Sequence, residues 1–334
     1  MIQLMKRLLI ITSVLIIAIS PALALEKVGT TSFQFLKVMT DARATAMGDA
    51  YAAVTSSSDA VFWNPAALTK VKHFDFTFSQ MDYFLDVVHY SFSGAYSLGR
   101  FGSIGVQAAY VDIGEIDVTR VDALSVGEDE YIPGITGEVI HPNAMVFGVS
   151  YAIQLTDKFS FGLTQKYIRE DMGFSSSYMK NGKNVELSSV AFDMGLVYDT
   201  GFRTLQLAAA VRHFGPEISY VDKGYPMPQT FDIGIAAYLL GPDDNFGFIS
   251  NNQTLLFSAD LLQPRDYDQQ YNIGMEYGFN NLLFLRAGYK INYDVENFTA
   301  GFGLNYSNYR IDYSFANFGE YLDSVHRFSI GINI

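Results

Sequence analysis

Residues 271–279 read YNIGMEYGF, in which large apolar side chains alternate with small or polar ones. Successive side chains of an extended strand point to opposite faces, so this stretch has one face of Tyr, Ile, Met, Tyr and Phe. Its other face carries Asn, Gly, Glu and Gly, whereas the outward face of a soluble sandwich is rich in Lys, Glu and Thr. The pattern is typical of a transmembrane β-barrel, whose wall faces lipid.

The same alternation recurs from Phe74 to the C-terminus and predicts about fourteen antiparallel strands, an even number as in single-chain bacterial barrels. The predicted spans are 74–80, 87–98, 102–113, 143–155, 158–170, 187–199, 202–213, 229–240, 253–262, 269–280, 282–292, 297–306, 308–317 and 324–334. Tight turns and longer loops alternate between them, as they do at the two ends of such a barrel. The connection 241–252 is the exception, because it is long where a tight turn is expected.

The predicted organisation is a single barrel with an N-terminal extension: a signal peptide over residues 1–24, a plug segment over 25–73 and the barrel over 74–334. Lys6 and Arg7 precede an apolar run, and Ala22-Leu23-Ala24 supplies a small-x-small cleavage site. The alternative is a membrane helix. It is weaker because the run is too short for a hydrocarbon core of about 30 Å, and Pro21 closes it.

Composition narrows the classes of protein and partner. The 334 residues carry a formal net charge of −13, which argues against nucleic acid as a partner. Zero cysteines exclude a disulfide scaffold and a thiolate metal site. Hydrophobic residues make up 49% of the chain, but alternation disperses them, as a barrel requires. The sequence suggests no cofactor and no metal site.

The segment before the first strand differs in composition: it is rich in Ala and other small residues and shows no alternation with a period of two. Asp41 can cap a helical turn that Gly48 ends, and Asn64-Pro65 supplies a cap followed by proline at the first helical position. Such a segment can fold inside the barrel as a helical plug. The alternative is a periplasmic tail.

With the apolar face outward, charges of both signs point into the lumen. The predicted lumen charges are Lys166, Asp193, Arg212, Asp232, Glu276, Arg286, Arg310 and Asp312. Charges in a closed lumen need partners or water, so the favoured interpretation is a set of ion pairs that hold strands and plug together. The alternative is a selectivity filter.

Other polar features give weaker hypotheses. The loop 114–142 is acidic but lacks the spacing of a calcium loop, so we interpret it as a solvated contact surface. The five histidines lie outside any G-x-S-x-G or H-E-x-x-H context, so we expect no catalytic residues and no enzyme. Trp63 is the one tryptophan, either a packing anchor of the plug or a gate.

Residues 35–68, FLKVMTDARATAMGDAYAAVTSSSDAVFWNPAAL, resemble the opening of the PorV/PorQ family of outer-membrane proteins, within the FadL-like superfamily. The stretches LTDKFSFGLTQKYIRED, VRHFGPEI, LRAGYK and the closing IDYSFANFGEYLDSVHRFSIGINI agree in order and spacing. The resemblance implies a plugged barrel of about fourteen strands. It assigns Asp41, Arg43, Gly48, Asn64 and Pro65 to the plug motif, with a structural role.

The resemblance also implies a function and a location. Family members act as accessories of type IX secretion, whereas FadL-like relatives carry hydrophobic molecules such as long-chain fatty acids. The leading hypothesis is therefore a non-enzymatic barrel that binds secretion-system proteins or secreted cargo through outward loops, in the lipid of a Gram-negative outer membrane. The alternatives are a channel for hydrophobic small molecules and a closed structural barrel.

Overall fold

The computed structural model describes residues 29–119, 125–126, 131–132, 134–173, 186–220, 223–241, 244–319 and 324–334. The predicted signal peptide, residues 1–24, lies outside the described residues, as does part of the acidic loop. In the described part of the chain, no helix is long and apolar enough to cross a membrane.

Fourteen antiparallel strands form a closed barrel, which confirms the predicted fold. Each strand pairs with its neighbours in sequence, and the first pairs with the last from Asp75↔Asn333 to Asp82↔His326. The strands are β1 Phe74–Asp82, β2 Val88–Ser97, β3 Ser103–Asp112, β4 Asn143–Thr156, β5 Phe159–Asp171, β6 Glu186–Asp199, β7 Gln206–Phe214, β8 Thr230–Gly241, β9 Gln253–Pro264, β10 Gln270–Phe279, β11 Leu283–Ile291, β12 Phe298–Tyr306, β13 Tyr309–Ala316 and β14 Val325–Asn333.

The wall has the inside-out polarity of a membrane barrel. On β10, Ile273 and Met275 point outward and are 37% and 43% exposed, whereas Asn272 and Glu276 point inward and are buried. The same alternation runs along β5 and β6. Lipid therefore covers the apolar face, and the polar face encloses the lumen.

The two ends of the barrel differ. Both barrel termini meet at one end, where Ile334 N donates to Phe74 O (2.9 Å), and this end also carries the tight turns. We call it the periplasmic end and the other the outer end. The long connection 241–252 lies at the periplasmic end, where its strand Phe248–Ile249 pairs in parallel with the end of β8. This added strand explains why the connection is not a tight turn.

The segment 33–72 lies inside the barrel and is called the plug. It contains a 3₁₀ turn (Gln34–Lys37), helix α1 (Ala42–Ala46), helix α2 (Ala60–Trp63) and a second 3₁₀ turn (Pro65–Lys70). Its Ala, Tyr and Trp side chains form the main apolar core with inward-facing residues such as Ala152 and Ala208 of the wall. Both helices are short: Met47 is the C-terminal cap of α1, and Asn64 that of α2.

Candidate functional site: the plug, its charged contacts and the cavities

Helix α1 begins at the predicted cap. The Oδ1 atom of Asp41 accepts a hydrogen bond from Ala44 N (2.8 Å), and Thr45 Oγ1 lies 2.8 Å from Ser314 Oγ on β13. Ala42 N donates to Ser329 Oγ on β14 (2.9 Å). The cap therefore fixes the helix locally, and the polar wall fixes its position in the lumen.

Gly48 ends this helix in the left-handed region, with φ of +65°, a conformation that favours glycine. A Cβ atom on Gly288 of β11 would lie 2.0 Å from Gly48 N, and one on Gly274 of β10 would lie 2.4 Å from Met47 O. Small residues on both sides thus let the plug backbone contact the wall directly.

Asn64 and Pro65 lie where the plug crosses from α2 to the second 3₁₀ turn. The Asn64 Oδ1 atom accepts from Ala66 N (3.1 Å), while Nδ2 donates to Ala52 O (3.1 Å) and Leu196 O (3.0 Å). Asn64 is fully buried, so its amide joins two parts of the plug to β6. Asn64 therefore connects helix α2 and the second 3₁₀ turn to β6.

The lumen charges are brought together in pairs. All eight predicted residues lie on the inner face, and each takes part in an ion pair. The pairs are Lys166 with Asp193 (2.5 Å), Arg212 with Asp232 (3.6 Å), Arg286 with Glu276 and with Asp312 (2.6 Å each), and Arg310 with Asp312 (3.5 Å) and with Asp75 (3.6 Å). Most of these pairs join one wall strand to another.

Arg43 is the plug residue that enters this network. Its Nε and Nη2 atoms each lie 2.8 Å from an oxygen of Glu276, whose carboxylate also accepts from Arg286 Nε (2.6 Å). A bidentate pair of this kind fixes both distance and orientation. It links α1 to β10 and β11.

Further plug contacts involve residues that the sequence analysis did not single out. Asp260 of β9 accepts from Tyr51 N (2.7 Å) and Ala52 N (2.9 Å), and Asp75 of β1 accepts from Ser58 N (2.7 Å). Both carboxylates point inward by the same alternation as the predicted lumen charges. The alternation of inward and outward residues along β1 and β9 could therefore have predicted both carboxylates from the sequence.

Asp266 lies in the loop between β9 and β10 and binds the N-terminal segment 31–37. It accepts from Thr31 Oγ1 (2.9 Å), Gln34 Nε2 (3.0 Å) and Lys37 Nζ (2.8 Å). Burial raises the pKa of Asp266, but the three hydrogen bonds and the charge of Lys37 outweigh it and lower that pKa below its usual value. No sequence pattern marked this loop residue.

A β-bulge on β7 turns two successive side chains into the lumen. The register between β6 and β7 shifts at Asp193, and His213 has φ of 59°. His213 N donates to Asp193 Oδ1 (2.8 Å), and its ring lies 3.2 Å from Lys166 Nζ. The bulge therefore places Arg212 and His213 together beside the plug.

The outer cavity, of about 360 Å³, lies between the plug and the outer loops. Trp63, Arg212, Lys290, Tyr293 and Arg327 are among the residues that line it. Trp63 is an anchor as well as a lining residue, since its ring packs at 5.6 Å from Tyr51 and lies 5.4 Å from the Arg212 guanidinium.

Two other cavities flank the plug. A side cavity of about 40 Å³ shares Val38, Met39, Trp63 and His213 with the outer cavity. A periplasmic cavity of about 280 Å³ lies beside Arg43. It shares no described residue with the outer cavity, because the plug separates them.

In the described part of the chain, no group of three His, Cys, Asp or Glu side chains is placed to hold a metal ion. Among the described groups in the lumen, the charged ones mostly bind one another or the plug backbone. The site is therefore best described as a plug held in a charged lumen, with an outer cavity above it.

Comparison with known proteins identifies the family. The model of the family described as type IX secretion system protein PorV matches residues 22–256, more than half of the chain. The sequence matches none of the curated proteins.

Solved structures share the fold at low sequence identity. The Ralstonia pickettii toluene transporter TbuX is 14% identical, with a TM-score of 0.60 over 90% of this chain and 99% of that one. The Pseudomonas putida toluene transporter TodX is 14% identical, with a TM-score of 0.55 over 86% and 96%. A Pseudomonas aeruginosa FadL homologue is 11% identical, with a TM-score of 0.50 over 88% and 98%. At these identities the likeness shows a common fold.

Proposed function

The chain belongs to the PorV family of type IX secretion system proteins, and we propose that it is an accessory of protein secretion or surface attachment. It is an outer-membrane β-barrel of a Gram-negative bacterium. On this proposal, the outer loops bind secretion-system proteins or secreted cargo, and the barrel has no catalytic activity. The wall and plug supply a rigid base for those loops.

Closure of the lumen is the observation that carries the proposal. Plug residues such as Ala44, Ala52 and Trp63 are buried between the outer and periplasmic cavities, which share no described lining residue. Buried polar contacts hold the plug from several strands at once. A barrel whose lumen is closed in this way favours a function in protein binding at the loops over passage of solute through the lumen.

The outer loop between β3 and β4 supplies a contact surface. Its described part includes the strands Ile116–Thr119 and Ile135–Ile140, which pair with each other in a two-stranded sheet of their own. Ile135 and Val139 of this loop are 59% and 42% exposed. Apolar side chains exposed in water favour binding to another protein.

A loop variant tests the proposal in a bacterium that has this secretion system and lacks its own copy of the gene. Ile135→Asp combined with Val139→Asp should reduce the surface-attached and secreted proteins that the wild-type gene restores. The matched control is Phe248→Asp with Ile249→Asp, which makes the same change on exposed residues at the periplasmic end. If the loop variant restores secretion fully, or if both pairs fail alike while the barrels fold, the proposal is wrong.

A channel for hydrophobic solutes is the second candidate. The side cavity favours it, because this cavity lies beside the plug and continues from the outer cavity. Against it, β3 beside that cavity pairs without a break with β2 and β4 from Ser103 to Asp112, so the described wall has no lateral opening there. Uptake of labelled fatty acids or toluene into vesicles that contain the purified barrel would support the channel.

Two remaining classes have their own tests. A closed structural barrel would show no conductance and no protein partner after cross-linking in cells. An enzyme would show lipase or protease activity that is lost when one Ser or His is replaced. Either result would contradict the secretion proposal.

A further inference from the structure

The hairpin formed by β1 and β2 exposes a leucine at its tip, at the outer end of the barrel. Leu85 is 82% exposed, the largest exposed fraction among the large apolar side chains of the described residues. It lies outside the apolar clusters found in the described part of the chain, whereas its neighbours Tyr83 and Phe84 pack against one of them. The side chain of Leu85 therefore adds little to the folded core.

The backbone at the tip disfavours a leucine. Leu85 and Asp86 both have left-handed φ angles, of 56° and 60°, and Val87 N donates to Phe84 O (3.4 Å) across them. A hairpin turn with two left-handed central residues favours Asn and Gly, whereas a side chain such as Leu is strained there. Leu85 strains its own turn without packing in return, so the stability of the fold does not explain its presence.

The residues beneath the tip hold it in place. Tyr83 N donates to Val87 O (2.9 Å), and the rings of Tyr83 and Phe84 lie 5.7 and 6.0 Å from the ring of Phe318 in the loop between β13 and β14. Phe318 is itself buried. Leu85 is thus presented on a packed aromatic base, and a tip held in this way loses little conformational entropy on binding.

Polar residues separate Leu85 from the lipid-facing belt. The outward face of β1 changes from Phe78 to Gln80 and Asp82, and Gln80 Nε2 donates to Asp82 Oδ1 (3.0 Å). A carboxylate on the outward face is costly in hydrocarbon, so the hydrocarbon ends below Asp82. Leu85 follows Asp82 in the turn and therefore lies beyond the hydrocarbon.

The surroundings of Leu85 are acidic. Residues 79–90 include Asp82 and Asp86 and neither Lys nor Arg. Asp112 of β3 lies on the same outward face, because Asp82 and Asp112 pair with the same residue of β2 from its two sides. Such a surface repels anionic lipid headgroups and attracts Lys or Arg side chains of a protein.

The tip adjoins the outer loop between β3 and β4. A Cβ atom built on Gly114, at the start of that loop, would lie 3.8 Å from Asp86 O. Ile116, which follows in the same loop, is 43% exposed. The apolar side chains of the two loops are therefore close enough to contact one partner.

We propose that Leu85 is an anchor that inserts into an apolar pocket of a secretion-system protein, with Lys or Arg side chains of that protein facing Asp82, Asp86 and Asp112. A few anchors of this kind dominate the binding free energy of most protein interfaces. The inference rests on the proposed function and adds to it the chemistry of the partner and the residue that binds it.

Two substitutions of Leu85 separate binding from folding in the deletion strain. Leu85→Asn relieves the strain of the turn, so its unfolding midpoint in urea should equal or exceed that of the wild type. It should nevertheless restore less than about a third of the surface-attached and secreted proteins, because the anchor is lost. Leu85→Met keeps a flexible apolar side chain and should restore them fully.

Asp82→Lys tests the charge of the partner, since it reverses the charge of an exposed residue and leaves the apolar tip in place. It should also reduce secretion, because it repels a basic partner. Leu155→Asn is the matched control: Leu155 is 56% exposed at the periplasmic end of β4, and its replacement should keep the wild-type profile.

The outcomes distinguish the anchor from the secretion role. If the wild-type gene restores secretion and Leu85→Asn restores it equally, the anchor is wrong and the proposed function stands. If deletion of the gene leaves the profile unchanged, both are wrong. Equal loss in Leu85→Asn and Leu85→Met, or full secretion by Asp82→Lys, as expected if Leu85 contacts lipid instead, would also overturn the inference.

Discussion

Arg43 of the plug and Glu276 of β10 form a bidentate ion pair, with Nε–Oε2 and Nη2–Oε1 distances of 2.8 Å each. Glu276 also binds Arg286 of β11, so one carboxylate holds a plug cation and a wall cation. The pair joins residues that are far apart in sequence. It is a bidentate charged link between the plug and the barrel, beside the single contacts Asp49–Lys290 and Lys37–Asp266.

Replacing Arg43 with Gln should loosen the plug while the barrel stays folded. Removing one partner of a buried pair costs about 3–5 kcal/mol, and the lower end applies here because Arg286 remains on Glu276. We expect a lower free energy of unfolding in urea and frequent current steps in planar bilayers, where the wild type is closed. The control Arg169→Gln changes an exposed pair and should leave both measurements at their wild-type values. If the Arg43→Gln barrel shows no current steps and has the wild-type free energy of unfolding, Arg43 does not hold the plug in place.

Gly288→Ala should displace the plug by steric means. A Cβ atom there would lie 2.0 Å from Gly48 N and 2.4 Å from Met47 C, which are backbone atoms that cannot rotate away. We expect increased cleavage of the plug by added protease in the purified protein. Gly94→Ala is the control, because its nearest neighbour is the Phe76 side chain at 3.0 Å. Equal protease resistance of the two variants would show that the plug does not need this contact.

Much of this architecture could be predicted from the sequence. Each strand can be predicted from its own segment, because apolar and small or polar residues alternate along it and so define its two faces. The caps at Asp41 and Asn64 are local as well, and both were predicted. The domain limits beyond the described residues, including the signal peptide, stay predictions.

Asn64→Ala should destabilise the connection between helix α2, the second 3₁₀ turn and β6. The variant loses the cap on Ala66 N, worth about 1 kcal/mol, and leaves Ala52 O and Leu196 O without their donor, at about 1 kcal/mol each. We expect the free energy of unfolding to fall by about 2–3 kcal/mol. Asn64→Asp keeps the acceptor but places a charge against two carbonyl oxygens, so it should be at least as damaging. Thermal unfolding followed by gel mobility measures both, and a stable Asn64→Asp would contradict the assigned hydrogen bonds.

The partners of the lumen charges could not be predicted in the same way. Pairing Arg43 with Glu276 requires the register of the whole closed barrel, which no single segment contains. Lys290 and Arg327 follow the inward alternation and could have been included among the lumen charges. Asp49 and Asp266 lie outside strands, where the alternation gives no signal.

The hydrogen bonds and the ion pair between Asp266 and segment 31–37 should depend on pH. Its pKa in the folded protein lies below the usual value of 3.8, so its carboxylate stabilises the fold above that value. This contribution is lost as the pH falls through the lowered pKa. The protection of segment 31–37 against hydrogen exchange, measured relative to the intrinsic exchange rate at each pH, should be unchanged between about pH 5 and 8 and should fall below about pH 4.

Asp266→Asn provides the check on that assignment. In this variant the segment should be less protected at neutral pH, and its protection should change little on acidification, because no carboxylate remains to titrate. If the wild type and the variant respond to acid alike, another group holds the segment.

If the closed, plugged barrel acts by contact with proteins, fixing the plug to the wall by a disulfide should leave its function intact. Thr45 Oγ1 and Ser314 Oγ lie 2.8 Å apart in a chain without cysteine, so Thr45→Cys with Ser314→Cys can form one plug-to-wall disulfide. The measurement is the profile of surface-attached and secreted proteins in the deletion strain that carries the oxidised double variant. We predict that the empty vector loses these proteins and that the disulfide-linked barrel restores them. An unchanged profile without the gene, or restoration by each single variant but not by the disulfide-linked barrel, would contradict a role in secretion that needs no movement of the plug.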